Sequence, residues 1–156
     1  MQLNEHEMIK AYIDKEESEN FYIDAFDDYT SSGIEQFKWH WSWWAFGGGI
    51  FFLLYRKLYI EALVFFFITM IAGAVPLASI IIWIISGGVF PYFVYKRYKK
   101  GLSMVEENIV NDDDKLSALR EFGGYNQWAL YLGVAMAVIS MGSMIYFTIL
   151  FTALPK

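Results

Sequence analysis

Cysteine is absent from the 156 residues, which excludes disulfides, thiolate metal sites and cysteine nucleophiles and fits a reducing compartment. Histidine occurs twice, at His6 and His40. Two lone histidines without a metal-ligand spacing are not a metal motif, so no metal centre and no cofactor is expected. Basic charge is short: 12 Lys and Arg stand against 17 Asp and Glu, a net charge of −5 that argues against a nucleic-acid partner. The opening MQLNEHEMIK lacks a basic start followed by an apolar run, so no secretory leader is expected there. No P-loop, dinucleotide fingerprint, nucleophile elbow or zinc-protease helix occurs, and the serines lack a histidine–acid set to activate them. Asp112, Asp113 and Asp114 lack the alternation, central glycine and terminal glutamate of a calcium loop, and read instead as helix-capping charges. The chain is therefore not expected to be an enzyme.

Apolar residues are abundant: 56% of the chain is hydrophobic and 20% aromatic, in blocks. A soluble domain of this length usually carries more charge and fewer aromatics. Nearly all charge lies in residues 1–38, 96–100 and 106–121. Lipid is the expected solvent for the rest.

Five segments follow. Residues 1–38 read as an acidic cytosolic helical segment. Met8, Ile9, Tyr12 and Ile13 recur at helical spacing, as do Tyr22, Phe26 and Tyr29, and Thr30-Ser31-Ser32-Gly33 is a stop signal. Residues 39–57 form a Trp/Gly-rich element. Trp39, Trp41, Trp43 and Trp44 suit the headgroup level, because an indole is apolar with one polar edge. The run from Ala45 to Leu54 is about 15 Å long as a helix, half a bilayer core, and so reads as interfacial or re-entrant. Gly47, Gly48 and Gly49 would let it bend or admit a neighbouring helix.

Residues 58–95 read as a transmembrane hairpin turning at Ala72-Gly73-Ala74-Val75-Pro76, with basic residues at both open ends. Residues 96–124 read as a cytosolic linker. Ser103-x-x-Glu106 matches a capping box, and a short helix after Asp112 closes at Gly123-Gly124. Residues 125–156 read as a third transmembrane helix, with Ala129, Gly133 and Ala137 as a small-residue packing stripe toward the hairpin or another protein. The expected fold is thus all-α and polytopic: three transmembrane helices, an interfacial or re-entrant Trp/Gly-rich helix and a soluble N-terminal helical segment. With the N-terminus and both hairpin ends on one side, that side holds every Lys and Arg except Lys156. The positive-inside rule then makes the N-terminus cytoplasmic and the C-terminus extracytoplasmic. Taking 43–54 as a full span would reverse the N-terminus.

Residues 41–59, WSWWAFGGGIFFLLYRKLY, resemble the signature of a bacterial family of small membrane proteins, the domain of unknown function 2628 family. Its pattern runs roughly F-N-W-A-A-F-F-F-G-P-x-W-L-L-Y-R-K-M-Y. Trp43, Ala45, Phe46, Gly49, Leu53, Leu54, Tyr55, Arg56, Lys57 and Tyr59 match it without gaps, whereas Gly47-Gly48 replaces the family's Phe-Phe and Ile50 its proline. The resemblance implies a location in a bacterial cytoplasmic (inner) membrane and no chemistry.

Among individual residues, Glu61 is the one acid inside an apolar segment. It reads either as an ion or proton site or as a snorkelling pair with Lys57 four residues before it. Arg56-Lys57 reads as a topology anchor or as a lipid-phosphate holder. The acidic N-terminal segment is expected to dock on the basic 96–100 cluster. The functional expectation is an accessory, scaffold or regulatory subunit contacting the lipid bilayer and another membrane protein or a second copy of itself. The alternative is a homo-oligomeric transporter or channel using Glu61.

Overall fold

A computed structural model describes residues 4–153, all of whose regular elements are helical. Lys156 and the end of the third apolar segment lie outside them. The helices are α1 (Glu5–Ile13), α2 (Glu16–Thr30), α3 (Trp43–Gly48), α4 (Ile50–Tyr55), α5 (Tyr59–Ala72), α6 (Pro76–Asn108), α7 (Asp112–Phe122) and α8 (Gln127–Ala153).

A polar-surfaced head is built from α1, α2, α7 and the second half of α6. Asn4 starts α1 with a full capping box, its side chain matched by that of Glu7. The apolar stripes seen in the sequence then turn inward: Ile9, Tyr12 and Ile13 from α1, and Tyr22, Phe26 and Tyr29 from α2, are all buried. They meet an aromatic face of α6. Phe26 stacks on Tyr98 at 5.3 Å and meets Tyr95 edge-on at 5.2 Å, and Tyr12 meets Tyr98 at 5.3 Å. Each such pair contributes roughly 0.5–1.5 kcal/mol beyond its burial. The acidic segment thus does dock beside residues 96–100, but through aromatic packing. Among the described residues a single ion pair, Glu35 to Lys96 at 2.5 Å, reaches that cluster.

Two expectations about α6 are corrected. It does not end near Tyr95 but runs for 33 residues, straight through Lys96–Lys100. Tyr95, Tyr98, Leu102 and Val105 keep the helical period on its buried side, so burial continues after the apolar run stops. The Ser103-x-x-Glu106 pattern therefore lies inside this helix and caps nothing. Helix α7 begins instead at Asn111, whose side chain accepts from the Asp113 N–H at 3.3 Å, and Asp112–Asp114 occupy its first turn, where the macrodipole favours negative charge.

Helices α5, the first half of α6, and α8 are apolar and largely exposed. Both α6 and α8 are long and apolar enough to cross a membrane. Helix α5 has 14 residues, about 21 Å, less than a bilayer core of about 30 Å. Between α6 and α8 lie α3 and α4. Their break falls at Gly49 (φ 49°, ψ −123°), a backbone conformation that favours glycine. Among the described residues, a side chain at Gly47 would meet open space, and one at Gly48 would meet Phe52 of the adjoining α4 at 3.0 Å.

Candidate functional site: the joint between head and apolar helices

Leu53 to Tyr59 is a crossroads of the fold. Leu53 and Leu58 are fully buried. The Leu54 and Tyr55 carbonyls accept from Asn126 Nδ2 (3.3 Å) and the Asn126 N–H (2.8 Å), and Asn126 Nδ2 also lies 2.6 Å from the Tyr59 hydroxyl. Tyr55 stacks on Tyr125 at 5.1 Å. The start of α8 is thereby fastened to the α4–α5 corner.

Arg56 is not placed as a headgroup anchor. It is 5% exposed, donates from Nη1 to the Ile13 carbonyl at 3.0 Å, and lies 4.8 Å from the centre of the Tyr22 ring. Lys57 has a left-handed backbone (φ 59°) and donates to the Glu121 carbonyl at 3.0 Å. Arg97 donates to the Phe122 carbonyl at 3.3 Å and lies over the Phe122 ring. Three cations thus close the C-terminal ends of α1 and α7, where free carbonyls and the macrodipole favour positive charge. The guanidinium groups suit the interior because they are weakly hydrated and stack on aromatic faces. Burial holds the Lys57 ammonium below its usual pKa, with Arg97 adding to the effect. Burial raises the Tyr12 and Tyr22 phenols against the opposing pull of Arg97 and Arg56, which keeps both neutral near pH 7.

The position of Lys57 also removes the expected pair with Glu61. Lys57 precedes α5 and its ammonium turns toward α7, whereas Glu61 lies half-buried in the first turn of α5. Among the described residues no ion pair reaches Glu61. A carboxylate there is stabilised by the helix N-terminus. The small-residue stripe meets α4 instead of the hairpin: Ala129 is buried, a side chain on Gly133 would stand 3.1 Å from Phe51, and Ala137 lies beyond this contact on the exposed stretch of α8.

Gly123 and Gly124 do more than close α7. The Gly124 N–H donates to the Tyr12 carbonyl at 2.7 Å, and a side chain on Gly123 would overlap that same oxygen. Beside them, Arg120 pairs with Asp14 at 3.1 Å.

A second joint was not foreseen. Proline 91 has no N–H, so the Gly87 carbonyl four residues earlier has no helical partner. The Ser42 N–H takes it, at 2.8 Å. A Cβ at Gly87 would stand 2.7 Å from the Trp41 ring, and one at Gly88 would overlap Trp39. Gly87-Gly88-x-x-Pro91 is thus a socket for the strap that leads from α2 to α3. The spacing of the two glycines and a proline four residues after the first was its signal in the sequence. Of the four tryptophans, Trp41 is half-buried in this socket. Trp39 and Trp43, 52% and 71% exposed, flank Trp41 as a collar at 6.5 and 5.3 Å, and Trp44 beside them is 77% exposed. Replacing Gly88 by alanine should displace Trp39 and lower stability by about 1 kcal/mol, at the low end for overpacking since the ring can swing outward. A red-shifted tryptophan emission checks this, and emission unchanged from the parent contradicts it.

The strap is also tied to α2. His40 Nε2 lies 2.6 Å from Asp28 Oδ2, and Lys38 Nζ lies 4.0 Å from Asp28 Oδ1 and 2.6 Å from Ser31 Oγ. The His40 hydrogen bond, with Lys38 adding to it, holds the Asp28 carboxyl below its ordinary value of 3.8. A depressed folded pKa gives stabilisation that is complete above the unfolded value and lost as pH falls through the folded one. Below about pH 4 the strap should therefore loosen. Acid titration followed by tryptophan emission should show this step, and Asp28→Asn should remove it. A step of equal size in the variant would contradict the assignment.

The family described as "Protein of unknown function (DUF2628)" matches residues 10–93. No curated protein matches the chain, and no solved structure does. The match covers more than half of the chain, from within α1 to the Gly87–Pro91 socket on α6, and leaves the second half of α6, α7 and α8 outside it. The chain therefore belongs to the DUF2628 family.

Proposed function

We propose that the chain is an integral membrane protein that holds a helical head beneath the bilayer and acts through contacts, as an accessory, scaffold or regulatory subunit of a membrane assembly. The observation that carries this reading is α8. Its 27 residues hold no charge, and from residue 134 to 152 its side chains are exposed, as water would not tolerate. All eleven Lys and Arg of the described residues fall in the head or at the two joints. By the positive-inside rule this distribution supports a cytoplasmic head, with α8 leading the chain outward across a bacterial inner membrane. The Glu61 transporter reading has less behind it, since the helix N-terminus already accounts for that carboxylate.

Isolation from native membranes in mild detergent, followed by mass measurement of the intact assembly, tests the reading. A stoichiometric second protein or second copy is expected. A lone monomer at the mass of one chain would contradict it.

A further inference from the structure

The two apolar units rise to different heights from a common layer. Phe52 of α4 stacks on Phe90 of α6 at 6.0 Å, and its neighbour Phe51 packs on Gly133 of α8. Above that layer α8 continues for twenty residues to Ala153, about 30 Å, the thickness of a bilayer core. On α6 only fourteen residues separate Phe90 from Pro76 at the hairpin turn, about 21 Å. The tryptophan collar leaves less. Trp39 and Trp41 sit on Gly88 and Gly87, and a helix from Gly88 to Pro76 is about 18 Å long. Tryptophans of this kind settle at the headgroup boundary. The hairpin above them is then little more than half a core deep.

The turn is built for such a position. No charged residue occurs between Glu61 and Lys96. Gly73, Ala74 and Val75 are exposed, yet each of their N–H groups is spent internally, on the carbonyls of Thr69 (2.9 Å), Ile71 (3.4 Å) and Ala72 (2.9 Å). The Ser79 hydroxyl donates to the Ala72 carbonyl as well, at 3.0 Å. Proline at the next position has no N–H to satisfy. These donors are satisfied without water, as hydrocarbon requires of a backbone N–H.

We infer that the α5–α6 hairpin is a membrane wedge: it enters from the head side and stops inside the hydrocarbon, its tip covered by lipid acyl chains. The inference rests on the membrane reading above and replaces two full crossings by one partial insertion, leaving α8 as the one complete crossing.

The absence of cysteine makes the test direct. Single variants Ser31→Cys in the head, Ala74→Cys at the tip and Thr152→Cys near the far end of α8 are placed in sealed vesicles of both orientations and treated with a membrane-impermeant maleimide. Ser31→Cys should label from the head side and Thr152→Cys from the opposite side. Ala74→Cys should label from neither, and only after denaturation in detergent. Labelling of Ala74→Cys from the side that labels Thr152→Cys overturns the wedge and leaves the membrane reading intact, and its labelling from the head side overturns the wedge equally. Labelling of Ser31→Cys and Thr152→Cys from one and the same side overturns the crossing by α8 itself.

Discussion

Replacing Arg56 by alanine should destabilise the head by about 3–5 kcal/mol, among the largest effects of any single change in this chain. The side chain is 5% exposed, so its loss leaves a cavity between the Tyr22 and Tyr55 rings. It also strands the Ile13 carbonyl without its donor. An orphaned buried acceptor costs about 1–3 kcal/mol, and a large side chain truncated in a packed core adds a comparable amount. Arg56→Lys should recover part of the charge and little of the stacking, because an ammonium lacks the planar fork. Denaturant unfolding in detergent micelles, followed by near-ultraviolet circular dichroism of the head tyrosines, measures the loss. A variant within about 0.5 kcal/mol of the parent, the range of ordinary surface substitutions, would mean that Arg56 is the membrane-interface anchor the sequence suggested.

Gly123→Ala should cost about 3 kcal/mol, by a different route. The added methyl would overlap the Tyr12 carbonyl oxygen and stand 2.9 Å from its carbon, so backbone meets backbone and neither side can rotate away. Relief requires α1 and α7 to separate, which breaks the Gly124 N–H bond to Tyr12 and draws Lys57 from Glu121. The contrast with Gly88→Ala is informative: there the obstructing group is the half-exposed ring of Trp39, which can move. A ratio of losses near one between the two variants would contradict this account of the α1–α7 contact. The expected signature of Gly123→Ala is loss of α7 protection in amide exchange before any loss in α8.

Local signals in the sequence transmitted well. The apolar spacing through Met8–Ile13 and Tyr22–Tyr29 marks the buried faces of α1 and α2, and the closure of α7 falls at Gly123 as its glycine pair suggests. What was illegible depends on partners far along the chain. Arg56 faces inward because Ile13, forty-three residues earlier, offers a carbonyl at the end of α1. A buried arginine and an anchoring one are identical in sequence, and only the long-range partner separates them. The Gly87–Pro91 socket is similar: two glycines and a proline in an apolar helix read as weakness until Ser42, Trp39 and Trp41 occupy the space they leave. The continuation of α6 is carried by a pattern present in the sequence. Tyr95, Tyr98, Leu102 and Val105 hold the helical period, but the change from apolar to basic residues at Lys96 masks it.

The proposed membrane role requires that the exposed surfaces of α5, the first half of α6, and α8 meet acyl chains. Membranes containing the chain, washed at alkaline pH and sedimented at high speed without detergent, test that assumption most directly. The protein should stay wholly in the pellet and leave it only with detergent. Recovery from the supernatant as a compact monomer would contradict the account.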